Sequence, residues 1–157
     1  MRLALFQPDI PQNLGAAIRL CACLGVNLDI IEPCGFPISD KNLGRVAMDY
    51  GKLTKIQRHN SWTEFQAAPE RGQGRLVVLT TSAQTGLYDF SFQSGDTLML
   101  GRESAGLPPE IHDLADARLK VPMVAGARSL NVIITGAMAL SEALRQTGNF
   151  ASDANCA

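Results

Sequence analysis

Three short segments carry the residue types that chemistry needs. In TLMLGRESAGLPPE, residues 97–110, an apolar run stops at Gly101, passes through Arg102, Glu103, Ser104 and Ala105, and resumes after Gly106. Glycine-spaced loops that follow a buried strand often present backbone N–H groups to phosphate. Here Leu107-Pro108 stands where a phosphate loop has its Lys-Ser/Thr, the dinucleotide fingerprint G-x-G-x-x-G is absent, and Glu103 would repel a pyrophosphate. The ligand of such a loop is not phosphate-rich. What remains is a turn whose Gly101 permits backbone approach to a flat or bulky ligand, and whose Glu103 offers a carboxylate to a cation, a donor or an arginine. By itself the pattern also fits an ordinary turn with a solvated glutamate.

The second segment is IPQNLGAAIRL, residues 10–20. Asn13 stands where an N-cap would open a helix, Gly15 lies in the first turn, and Arg19 falls between Ile18 and Leu20. Glycine at that point costs the helix up to roughly 1 kcal/mol against alanine, which suggests close approach by another group. The third is VPMVAGARSLNVIITGAMALSEAL, residues 121–144. A strand ends near Pro122, an irregular loop contains Gly126, and Ser129, Leu130 and Asn131 lead into an apolar helix. Ser129 is a natural N-cap and Asn131 a polar residue in the first turn.

These segments need elements to hold them. Short β-rich runs occur at 3–6, 28–31, 54–58, 76–80, 97–100 and 118–121. Helical patterns lie between several of them: Leu14–Leu24, with Leu14, Ala17, Ile18 and Cys21 on one face and Gly25 as C-terminal cap, then Asp40–Met48, Ser61–Ala68, Pro109–Ala115 and Leu130–Arg145. This alternation predicts an α/β fold with a mainly parallel sheet and helices on both faces. Ligands of such sheets bind outside the carboxyl ends of the strands, which directs attention to the loops after Thr80, Leu100 and Val121.

Composition narrows the classes. At 157 residues, with 46% apolar and 18% charged residues, the chain is expected to be one globular domain over residues 1–150 with a poorly ordered tail at 151–157. The longest apolar stretch, Leu130–Leu140, is too short to span a membrane, and the N-terminus lacks a secretory apolar region, so a cytoplasmic location is expected. Cys21, Cys23, Cys34 and Cys156 form no C-x-x-C pair and have no histidine at ligand spacing, so no metal site is expected. The net charge of −1 conceals a basic stretch between residues 41 and 59, where Lys41, Arg45, Lys52, Lys55 and Arg58 face one acid, Asp49. That stretch is either a solvated face or an RNA footprint.

In this order, N-x-G-x(3)-R near the start, LGRESAGLP two-thirds along, and RSLN before a closing apolar helix resemble the SPOUT superfamily of RNA methyltransferases, in its SpoU branch. The stretch IIEPCGFPISDKNLGRVAMDY and the lack of an added RNA-binding domain are similar to the short subgroup that methylates the ribose 2′-oxygen of the tRNA wobble nucleotide, cytidine or modified uridine at position 34. The resemblance covers residues 1–148. It implies S-adenosylmethionine as methyl donor, tRNA as substrate, a homodimer and a C-terminal trefoil knot. It further implies a cofactor pocket at Leu79, Gly101, Val121 and Ser129, and catalytic roles for Arg19, Asn13, Glu103 and Asn131. Arg19 would act as an electrostatic clamp aligned by Asn13 or Glu103, and with Lys41, Arg45, Lys52, Lys55 and Arg58 would contact RNA. The chain departs from many relatives after RSLN, where Val132-Ile133-Ile134 leaves Thr135 as the next polar side chain. Methylation of another RNA position, and an idle RNA-binding protein of the same fold, are the alternative readings.

Overall fold

The computed structural model describes residues 1–38, 50, 53–72 and 74–150. Among the described residues, seven strands form one parallel sheet: β1 (Arg2–Phe6), β2 (Asn27–Ile31), β3 (Ile56–His59), β4 (Leu76–Leu79), β5 (Thr85–Gly86), β6 (Thr97–Leu100) and β7 (Ala117–Lys120). Their spatial order is β3-β2-β1-β6-β4-β7-β5. Strands β6, β4 and β7 are neighbours in register, Leu79 pairing with both Leu100 and Leu119, so three chain-distant loops leave the carboxyl end of the sheet side by side. The described helices are α1 (Pro11–Leu24), α2 (Trp62–Ala67), α3 (Pro109–Leu114) and α4 (Val132–Thr147).

The strands read as continuous apolar runs because both faces are covered. Leu3, Leu5, Leu28, Ile30, Val77, Leu79, Leu98 and Leu100 point into one core with residues of α1 and α4. Their alternates Ala4, Phe6, Ile31, Leu76, Val78 and Met99 enter a second core with Phe65 of α2 and Ile111 of α3. Leu14, Ala17, Ile18 and Cys21 are buried as their helical spacing predicts, and Gly25 closes α1 at φ 66°. Gly136 lets α4 lie close on β6, since a Cβ there would come within 2.8 Å of Leu100 Cδ1.

Two predicted caps are displaced. Helix α1 begins with Pro11 in its first turn after Ile10 as N-cap, so Asn13 is inside the helix rather than at its cap. Proline's fixed φ and missing N–H suit that first turn, which explains the earlier start. Helix α4 is capped by Asn131, not Ser129: Asn131 Oδ1 accepts hydrogen bonds from Ile133 N (2.9 Å) and Ile134 N (3.3 Å). The two-residue strand β5, paired with Leu119 and Lys120 of β7, is too short to leave a periodic signal and was not expected. The predicted helix over 40–48 and the tail at 151–157 lie outside the described residues.

Candidate active site

Loops leaving β4, β6 and β7, the start of α1 and the start of α4 enclose a cavity of about 690 Å³. That is within the range of pockets for small organic ligands. Its floor is apolar, from Leu79, Leu100, Leu107, Leu119 and Val121, and its walls carry Thr80, Arg102, Glu103, Lys120, Ser129 and Asn131.

The loop after β6 is built around its two glycines. Arg102 N donates to Gly106 O (3.0 Å) and Gly106 N to Arg102 O (2.8 Å), closing the loop on itself. Gly106 takes φ +70°, and a Cβ on Gly101 would lie 2.5 Å from Gly106 C. The close approach that Gly101 permits is therefore made by its own loop, not by a ligand as the sequence suggested. The result is a preformed wall.

This wall is tied to the two helix starts. Asn13 Nδ2 donates to Glu103 Oε1 (2.9 Å), and Asn131 Nδ2 donates to Asn13 Oδ1 (3.2 Å), so three segments far apart in the chain meet through side-chain hydrogen bonds. Asp9, which the sequence did not single out, completes the join. Its N–H donates to Glu103 Oε2 (2.9 Å), while its carboxylate accepts from Glu103 N (3.2 Å), Ser104 N (3.3 Å) and the Ser104 hydroxyl. Hydrogen bonding with the Glu103 side chain, then with the Ser104 hydroxyl, holds the Asp9 carboxyl at about 2. Gln7, at φ 47°, turns the chain from β1 into this segment. A non-glycine residue in that conformation is a signal visible only in three dimensions.

Leu79, Gly101, Val121 and Ser129 all line the cavity, as do Asn13, Glu103 and Asn131. Thr135, the first polar side chain after RSLN, lines it too, so the apolar Val132-Ile133-Ile134 does not strip that wall of polarity. Arg19 does not join this set. It is exposed, and its guanidinium stacks over the Tyr50 ring with Cζ 4.8 Å from the centroid. Within one chain it is not aligned by Asn13 or Glu103, whose polar atoms are engaged with each other and with Asp9 and Asn131. Of the basic stretch, Lys41, Arg45 and Lys52 lie outside the described residues. Lys55 Nζ is 3.6 Å from Glu70, and Arg58 Nη2 is 2.9 Å from Glu32. Sequence spacing could not reveal these partners, because they come from other elements.

A preformed, half-apolar cavity beside a carboxylate, at the ends of parallel strands and without a phosphate loop, suits an amphipathic cationic ligand. The comparisons define the class. The model of the SpoU rRNA Methylase family matches residues 1–141, and the chain belongs to that family. A tRNA (cytidine(34)-2′-O)-methyltransferase of Beijerinckia indica is 52% identical over 149 residues, covering 95% of this chain and 93% of that protein. The enzyme of the same name from Escherichia coli K12 is 41% identical, covering 94% of each. Among solved structures, one from work on the 2′-OH methylation of C/U34 on tRNA superposes with a TM-score of 0.84 at 39% identity, covering 92% of this chain and 94% of that one. The SpoU methyltransferase AviRb of Streptomyces viridochromogenes, in complex with the cofactor AdoMet, gives 0.80 at 26% identity, covering 93% of this chain and 60% of that one.

Proposed function

We propose that the chain transfers the methyl group of S-adenosylmethionine to the ribose 2′-hydroxyl of the tRNA wobble nucleotide, cytidine or modified uridine at position 34, in the cytoplasm and as a homodimer. The observation that carries this reading is the Asn131–Asn13–Glu103 hydrogen-bond chain on the wall of a cavity ringed by the ends of β4, β6 and β7. Near full-length relatives of that name support the choice of substrate.

The residues present fit the donor. The apolar floor accommodates an adenosyl group, and Glu103 sets a carboxylate on the wall of a cavity that must accept a cation. When bound, S-adenosylmethionine supplies an electrophilic methyl group on a sulfonium. Leu79, Gly101, Val121 and Ser129 hold it, and the threaded C-terminal knot implied by the resemblance closes the pocket. Asn13, Glu103 and Asn131 keep the walls fixed, so orientation and exclusion of water supply much of the rate. Arg19 is a permanent cation and therefore a poor base. Its task is electrostatic: to hold a phosphate beside the target ribose and favour the oxyanion that develops as the hydroxyl loses its proton.

Arg19 lies outside its own chain's cavity lining, and the half-exposed apolar residues Ile10, Leu130 and Ile134 sit at the same helix starts. Both features support a dimer in which each Arg19 serves the partner's cavity. Lys41, Arg45, Lys52, Lys55 and Arg58 extend the contact along the RNA backbone.

The test is to map ribose methylation in tRNA from cells with and without the protein, and to assay purified protein on intact tRNA and on tRNA lacking its anticodon loop. Loss of position-34 methylation alone, with no activity on the truncated tRNA, is the expected result. Methylation elsewhere, or in ribosomal RNA, favours the second reading, which the description of the matched family supports.

A further inference from the structure

Among the described residues, five buried side-chain nitrogen or oxygen atoms have no hydrogen-bond partner, and two of them, Arg102 Nε and His112 Nδ1, belong to residues that line the cavity. Buried polar groups in folded proteins are nearly always satisfied, so two such atoms on the wall of one cavity point to a ligand. Arg102 has the more to gain. Its side chain is 37% exposed, its Nη1 reaches Gln7 Oε1 only at 3.4 Å, and its Nε is 3.8 Å from Asp9 Oδ2, beyond hydrogen-bond distance. Asp9 holds it only as a loose ion pair, because that carboxylate is directed to the Ser104 hydroxyl and to the Glu103 and Ser104 N–H groups. The backbone of Arg102 is fixed by its paired bonds to Gly106.

We propose that Arg102 is the anion-binding residue of the cavity and holds the α-carboxylate of the methyl donor. This rests on the methyl-donor reading given above. The donor carries one negative group, a carboxylate. A guanidinium whose Nε makes no hydrogen bond and whose other contacts are long can match its two oxygens as a fork, and a partly desolvated guanidinium binds it more strongly than a fully solvated ammonium. Lys120, the other lysine or arginine on the cavity wall, is exposed and is the natural comparison. The neighbouring Glu103 is bonded to Asn13 and to the Asp9 N–H, which fixes it on the wall beside the cationic part of the ligand.

The experiment compares two probes by calorimetry. S-adenosylhomocysteine contains the amino-acid portion, and 5′-methylthioadenosine lacks it. Arg102→Ala is expected to weaken S-adenosylhomocysteine about tenfold or more while leaving 5′-methylthioadenosine within about twofold, and Lys120→Ala to change neither by more than about threefold. Arg102→Gln, which keeps the stem and one donor end, should fall between wild type and Arg102→Ala, and serves if the alanine variant does not fold. Equal loss for both probes, no loss for either, a larger loss in Lys120→Ala, or a raised KM for tRNA with unchanged probe affinity would each overturn the assignment. If the unaltered protein binds neither probe, the methyl-donor reading itself fails and this inference with it.

Discussion

Arg19 and Gly101 show how differently two residues of the proposed site would work. Arg19 lies on the outer face of α1, stacked on Tyr50, and contributes charge without shaping the cavity. Arg19→Ala is therefore expected to lower turnover about 10²-fold or more while leaving donor affinity within a few-fold, the pattern of an interaction made chiefly in the transition state. Single-turnover rates beside calorimetric donor affinities check it, and near-normal turnover would remove Arg19 from the mechanism. Gly101 works in the opposite way. Its Cβ would stand 2.5 Å from Gly106 C and 2.7 Å from Leu107 N, both backbone atoms that have little room to give. Gly101→Ala should open the loop, cost about 1–3 kcal/mol, and reduce donor affinity before it reduces tRNA affinity. Full donor binding by that variant would contradict the account of the loop as a preformed wall.

At the scale of elements, α4 spans from its site cap, Asn131, to a charged clamp in its last turns. Glu142 accepts from Arg145 Nη2 (2.7 Å) and Nε (2.9 Å) and from Gln146 Nε2 (2.8 Å). The Arg145 bonds, then the Gln146 bond, lower the Glu142 carboxyl from 4.5 to about 2. A carboxyl whose folded value is depressed stabilises the fold above its unfolded value and loses that contribution as pH falls through the folded one. The Tm difference between wild type and Glu142→Gln should thus be full above about pH 4.5 and close towards pH 2. A difference that does not depend on pH would show the clamp to be uncharged packing. Strand β3 and the turn before it carry Arg58 and Lys55, two residues of the proposed RNA contact. Each basic residue in true phosphate contact should lower the salt slope of tRNA binding by about 0.7–0.9 when neutralised. Arg58, already held by Glu32 at 2.9 Å, should contribute less than Lys55, whose acid partner is 3.6 Å away on the surface. Equal slopes for both variants would mean that these ion pairs do not compete with RNA.

Across the whole molecule, the charges that matter for stability are not those at the site. Arg2 donates to Asp29 through Nε (2.7 Å) and Nη2 (2.8 Å), and His59 Nε2 lies 2.8 Å from the same carboxylate, linking β1, β2 and β3 inside the sheet. Asp29 and His59 are each 1% exposed and Arg2 8%, and none of the three lines the cavity. Asp29→Ala leaves Arg2 buried without its counter-charge and should cost about 3–5 kcal/mol of stability, read by urea unfolding. Donor affinity measured well below the Tm should stay near wild type, because the site is held by a separate network. A large fall in donor affinity would mean that the two halves of the sheet are coupled.

Much of this architecture was legible in the chain. The apolar runs marked six of the seven strands, and the spacing of Leu14, Ala17, Ile18 and Cys21 marked the buried face of α1, because burial on a repeating backbone imposes a period on sequence. Leu79, Gly101, Val121, Ser129, Asn13, Glu103 and Asn131 could be singled out from local patterns and a family resemblance. Their common enclosure of one cavity depends on β6, β4 and β7 lying side by side, an order that no local pattern contains. For the same reason Asp9, Arg102 and His112 stayed silent: an ion pair, an unfilled donor or a strained turn such as Gln7 is a relation between segments. The sequence by itself determined which residues could do chemistry and which faces had to be buried, since both follow from residue type and period. Tertiary structure alone decided which of those residues meet, which charges are already spent on partners, and that Arg19 stands outside the cavity of its own chain, since these depend on distances between atoms far apart along the chain.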